Sequence, residues 1–192
     1  MKLVLPEVDT VFDCDADSVN CLVIENQGLL SRIMRDLYDQ INGQEGRSVL
    51  SENDRVLPIG KNMELLSQFV PFQISQRHLV NKAISVLHQI AMDEVHYMRT
   101  AELMSEIERY LLELSMDTVG DIEFTGATAE ILLKACGLSF SEDYDSLAEK
   151  LIDYFELVTE YERKKLFVLM NVRSFLSDME MEQFIQTALQ HG

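Results

Sequence analysis

The chain has 192 residues, 47% of them hydrophobic, enough to bury a core of its own as one domain or as a domain with a sizeable appendage. Its 33 acidic residues outnumber 16 basic ones and leave a formal net charge of -17, which excludes a protein that coats nucleic acid indiscriminately with positive surface. A local basic face and a hard-cation site both stay open, because net charge does not say where charges sit; the plainer account is an acidic, solubilising surface.

The opening strand signals are KLVLP and VDTVFD, followed by SVNCLVIE (18–25), a better one rich in Val and Ile and ended by Glu25-Asn26. MKLVLPEVD has no long apolar h-region, and no apolar run approaches the roughly 20 residues needed to cross a bilayer, so neither secretion nor membrane insertion is expected. Cys14, Cys21 and Cys136 are odd in number and too widely spaced for a thiolate cage or a redox pair, which points to reduced thiols and the cytoplasm.

Asn26 is placed to cap a helix on which Leu29, Leu30, Ile33, Leu37 and Ile41 recur at helical spacing, and Asn42-Gly43 supplies its stop. Arg32 and Arg35, three apart, share one side of that helix. RSVLSENDRVLPIG reads as two short strands around a Ser-Glu-Asn-Asp turn. From Ser75, an N-cap, to about Asp117 there is no Pro or Gly, and Leu79, Ala83, Leu87, Ile90, Met98, Leu103, Ile107, Leu111 and Leu114 keep a helical recurrence. This predicts one very long helix, or two broken near Thr100. Straight, it reaches about 60 Å, so it should project or fold back as a hairpin.

DIEFTG (121–126) reads as a short strand or turn, ATAEILLKACG as a helix ended by Gly137, and LSF as a short strand. YDSLAEKLIDYFELVTEYER carries Leu147, Leu151, Ile152, Phe155 and Val158 on a helical stripe. LFVLMNV then lacks alternation, as a strand covered on both faces does. Ser177 and Glu180 form a capping box for MEMEQFIQTALQ, with Gly192 at the C-cap position. Helix, buried strand, helix is the rhythm of a parallel layer. The expected fold class is therefore α/β: a head with a parallel-sheet core from 1–74 and 121–192, and a long helical extension from 75–120, with room for further extension helices within 127–163. The chain stops where another strand of such a layer would start.

Chemistry is sparse. A phosphate-binding loop spaced on Gly60 and Lys61 needs glycine at position 55, which is Arg55. There is no nucleophile elbow and no His-Glu-x-x-His; His88 and His96 are too far apart for two ligands on one helical turn. The stretch ELSMDTVGDIE places Glu113, Asp117, Asp121 and Glu123 around a turn eased by Gly120. Four oxygen donors there can hold calcium, though not at EF-hand spacing; the plainer account is an acidic loop facing water. The basic residues form three sets: Arg32 and Arg35; Lys134 beside an apolar helix; and Arg163, Lys164 and Lys165 before the buried strand. The helix dipole accounts for the last set as well as a phosphate ligand does.

A resemblance adds to this reading. The run LLKACGLSFSEDYDSLAEKLIDYFELVTEYERKKLFVLMNVRSFLSDMEMEQF (132–184) closely resembles the second protein of the Csn series of type II-A CRISPR loci. The matching elements are Lys-Ala-x-Gly before a short strand, the helix Leu-x-Glu-Lys-Leu-Ile-Asp-Tyr, and Leu-Phe-Val-x-x-Asn-Val followed by Arg-Ser-Phe-Leu-Ser. CLVIEN (21–26) and MRDLY (34–38) are looser counterparts of family patterns. The resemblance implies an α/β head and a helical leg, assembled as a ring-shaped homotetramer that takes up linear double-stranded DNA through a basic hole. It implies calcium as a ligand, no nuclease or ATPase activity, and as partners the spacer-integration proteins and effector nuclease of the same locus. On it, Arg32, Arg35, Lys134, Arg163, Lys164 and Lys165 are the expected phosphate contacts, with Arg35 at the basic position of the family's first helix. The alternative is an interaction scaffold of the adaptation complex that has lost DNA binding; a nucleotide-dependent enzyme lacks both phosphate loop and general base.

Overall fold

The structure, a computed structural model, describes residues 1–8, 10–14 and 18–191; Gly192, and with it the expected C-cap, lies outside them. The chain falls into two compact units, Met1–Ile74 with Glu142–Gly192, and Ser75–Ser141.

In the first unit β1 (Lys2–Val4) pairs antiparallel with β2 (Val11–Asp13) on one side. Following α1 (Gln27–Ile41), strand β3 (Val49–Glu52) pairs with the other side of β1, and β4 (Arg55–Leu57) with β3, giving the order β2-β1-β3-β4. The β3–β4 turn is made by Asn53 and Asp54, both at positive φ of 50° and 61°. These two residue types tolerate the left-handed conformation that a tight hairpin demands. The Asn26 side chain accepts the Leu29 N–H at 3.0 Å, and Gly43 at φ 81° ends the helix, both where the sequence places them. Leu3, Leu5, Ile33, Leu37 and Leu50 pack with Ile59 and Met63 as the core.

Residues 18–25, expected as a strand, have no regular structure. Among the described residues no strand pairs with them to use their β propensity, and Val19, Leu22 and Val23 face solvent while Ile24 packs on the core.

After α2 (Ile59–Asn62) comes β5 (Met63–Leu66), a strand that the sequence reading did not identify. The second unit then intervenes. It holds α3 (Arg77–Ala91), α4 (Tyr97–Met116) and α5 (Ala129–Ala135). The long helical run is thus two helices, broken at 92–96 rather than at Thr100. Asp93 makes the break: its carboxylate accepts the Val95 and His96 N–H groups at 2.9 and 2.8 Å, offering the backbone a turn in place of the helix. Buried Leu79, Ala83 and Ile84 lie on α3, which packs against α5. The helical unit runs to Ser141 and so takes in 121–126, expected in the head, as well as α5, which lies in the 127–163 stretch where further extension helices were expected. Neither DIEFTG nor LSF forms a strand.

The chain re-enters the first unit through α6 (Leu147–Glu162), β6 (Leu166–Leu169), a short 3-10 turn at Val172–Ser174, and α7 (Asp178–His191). β6 pairs parallel with β5, Met63 opposite Leu166 and Leu66 opposite Leu169. The fold is α/β, with a two-stranded parallel sheet, while the larger, four-stranded sheet is antiparallel. Every residue of β6 is half-buried, and Phe155 on α6 stacks on Phe167 at 4.1 Å between ring centres.

Candidate nucleic-acid interface

The first helix carries Arg32 on its exposed side, and its Nε donates to Glu7 Oε2 at 2.7 Å. The second oxygen of Glu7 accepts from Arg47 at 2.8 Å. One carboxylate therefore bridges two guanidiniums that the sequence separates widely. Asp36, one turn beyond Arg32, sets this up. Its Oδ1 accepts the Arg47 N–H at 2.7 Å and its Oδ2 the Ser48 N–H at 2.8 Å, with Ser48 Oγ at 2.5 Å and Gln40 Nε2 at 3.1 Å. The loop before β3 is thereby pinned to α1. Burial works against the Asp36 charge, but the Ser48 and Arg47 hydrogen bonds outweigh it and hold its carboxyl below the usual range.

The Arg35 side chain is exposed and makes no hydrogen bond or ion pair with any described residue. Together with Arg32, Arg47, Glu7, Asp36 and Asp39 it lines a shallow cleft of about 320 Å³. Three arginines against three carboxylates make its formal charge zero. Arg47 was not a candidate from sequence: a lone arginine before a strand carries no signal, and its approach to Arg32 depends on the Asp36 clamp.

The other basic residues are dispersed. Arg163 ends α6 at φ 60° and lies 3.5 Å from Glu160, both side chains largely exposed. Lys165 is exposed, with Glu52 at 3.4 Å. Lys134 lies in the helical unit, paired with Glu130 at 2.6 Å one turn away, and its ammonium holds the Glu130 carboxyl below the ordinary range. Lys164 differs from all of these. Its side chain is only 13% exposed, with Glu64 Oε2 at 2.5 Å and Glu162 Oε2 at 2.9 Å, and Tyr154 donates to the other Glu64 oxygen at 2.8 Å. Burial opposes its charge, yet the bonds to Glu64 and Glu162 raise its pKa above the lysine value. Lys164 ties β5 to the end of α6, its ammonium enclosed by these two carboxylates.

Glu113 on α4, Asp117 at its C-cap, and Asp121 and Glu123 in the following loop are all exposed. Among the described residues no three His, Cys, Asp or Glu side chains come together as a group able to hold a metal ion. A calcium site needs six to eight converging oxygens, so this arrangement of the four carboxylates does not fit one. Gly60, weighed as part of a phosphate loop, serves packing instead: a Cβ there would sit 2.6 Å from the Ile41 carbonyl oxygen. Among the described residues no helix is long and apolar enough to cross a membrane.

No curated protein matches the sequence. Among solved structures it is similar to Stu0660 of Streptococcus thermophilus, with TM-score 0.53 and 14% identity over 86% of this chain. The chain spans 57% of that structure's length, and at this identity the likeness speaks for the fold alone. The family described as CRISPR-associated protein (Cas_Csn2) matches residues 22–190, which takes in the first helix, the helical unit and the parallel pair alike. With nearly the whole chain inside that match, the protein belongs to the Csn2 family of CRISPR-associated proteins.

Proposed function

We propose that the protein is a non-enzymatic double-stranded DNA-binding protein of CRISPR spacer acquisition, holding linear duplex ends as a ring-shaped homotetramer. The observation that carries this reading, beyond family membership, is Arg35: an exposed guanidinium with no intramolecular partner among the described residues, flanked by Arg32 and Arg47. Four copies of the Arg35 guanidinium can line a ring while the rest of the surface stays acidic. Arg32, Arg163, Lys165 and Lys134 are exposed and belong to the same proposal, since an exposed ion pair is worth about 0–1 kcal/mol and yields readily to a phosphate. Lys164 drops out of the set. Contacts of this kind grip the backbone and leave base sequence unread. The spacer-integration proteins and effector nuclease of the locus are the proposed protein partners. Calcium dependence is tested as a property of DNA binding, without assignment to the four carboxylates.

The experiment is a low-salt gel-shift titration of a linear duplex and a closed circle of the same sequence, with and without calcium. Preference for the linear form is expected; equal binding of both would contradict threading, and binding of neither would remove the DNA reading. One observation favours the scaffold alternative: none of the 20 residues of α4 is buried, and Tyr110, Leu112, Leu114 and Met116 all face outward. If DNA binding is absent, co-purification of the chain with the integration proteins is the result that alternative expects.

A further inference from the structure

We infer that Arg47 is a further DNA-contacting residue, and that Glu7 is an internal competitor for phosphate which holds the Arg32–Arg47 pair closed. The inference rests on the DNA-binding reading above and deepens it.

Glu7 presents its two oxygens to two guanidiniums, 2.7 Å from Arg32 Nε and 2.8 Å from an Arg47 nitrogen, as a backbone phosphate presents two of its own. The Glu7 side chain is 23% exposed, whereas those of Arg32 and Arg47 are 62% and 66% exposed. The carboxylate therefore sits behind the guanidiniums, and their outer faces reach solvent beside Arg35. The Arg47 backbone is held beside α1, because its N–H is fixed to Asp36 at 2.7 Å. Removing the Glu7 charge would raise the formal charge of the cleft from zero to +1 and free two cations already held side by side. Phosphate and Glu7 compete for the same donors, so native affinity is set by the exchange of one acceptor for the other.

The test is fluorescence anisotropy of a labelled linear duplex against native protein and Glu7→Gln over a salt series, with thermal melts to verify folding. Glu7→Gln should bind about tenfold more tightly, the equivalent of about 1.4 kcal/mol. Its log K against log salt slope should stay close to the native one, because the same phosphates are neutralised and only the competing acceptor is lost. Arg47→Gln placed on Glu7→Gln should abolish most of that gain. Glu7→Asp keeps the charge but is too short to hold both guanidiniums, and should give a smaller gain of about threefold; it serves if the Gln variant does not fold. Binding by Glu7→Gln where the native chain binds weakly or not at all supports the inference strongly. A folded variant that binds no more tightly than a DNA-binding native chain overturns it and leaves the DNA reading standing. No binding by any variant overturns both.

Discussion

Replacing Lys164 with alanine removes the cation from a buried network and leaves Glu64 and Glu162 facing each other beside the Tyr154 hydroxyl. Both carboxylates are nearly as enclosed as the lysine, at 13% and 15% exposure, and each accepts from the same ammonium, at 2.5 and 2.9 Å. Breaking a buried pair by deleting one partner costs about 3–5 kcal/mol, because the remaining charge has neither water nor counter-ion. The residual exposure places this site near the lower end, at about 3 kcal/mol. At roughly 2–4 °C per kcal/mol for a chain of this size, thermal unfolding followed by circular dichroism should fall by about 6–12 °C. The pH sense follows from the raised lysine pKa. The contribution is fully present below the ordinary lysine value of 10.5 and is lost as pH rises through the higher folded-state value. Native and variant should therefore differ by a constant amount around neutrality and converge in strong alkali. Below its melting temperature the variant should bind DNA as the native chain does. A melting shift under about 2 °C, or a specific loss of DNA affinity, would refute the structural role given to Lys164.

Three further outcomes are expected. Asp36→Asn replaces a pure acceptor with a group half of which is a donor, and should cost about 2 kcal/mol in urea unfolding. Because the folded Asp36 carboxyl lies below its ordinary value of 3.8, its contribution is present above that value and is lost as pH falls through the folded one. The native and Asp36→Asn stabilities should then converge in acid, and a constant gap would count against the clamp. Gly60→Ala drives a methyl against the Ile41 carbonyl oxygen at 2.6 Å, and should cost about 1–3 kcal/mol in the same assay; an unchanged midpoint would show that α2 shifts freely. Ser177→Ala removes the hydroxyl that donates to Glu180 and accepts its N–H. It should cost about 1 kcal/mol and raise hydrogen exchange in the first turn of α7, and exchange unchanged there would argue that the box contributes nothing.

What could be read in the sequence was local. Asn26 with Leu29, the Asn53-Asp54 turn and Ser177 with Glu180 are contacts within four residues, so the pattern contains both partners. Strand β5 carries no local signal, because MELL has no alternation and its partner LFVL lies across the whole helical unit in sequence. The strand expected at 18–25 failed for the converse reason, since propensity cannot supply a neighbouring strand. Asp93 carries no sequence signal of the break, because an aspartate in a helical run reads as a surface residue until the backbone N–H groups it accepts from are seen. The candidate site was partly legible. Arg32 and Arg35 follow from α1 periodicity, but Arg47 joins them only through Asp36, and Lys164 looks like its neighbours until Glu64 comes up beside it from β5. The four carboxylates near Gly120 are neighbours in sequence, yet they do not gather in space into a metal site.

On the function proposed above, this acidic chain grips duplex DNA through a few basic side chains led by Arg35. The most direct test is the affinity of native protein and Arg35→Gln for a linear duplex, measured across a salt series. A steep linear fall of log K with log salt is predicted for the native chain, and for Arg35→Gln weaker binding with a slope shallower by about 0.9 for each phosphate that Arg35 neutralises. A native affinity indifferent to salt, or an Arg35→Gln slope equal to the native one, would contradict it.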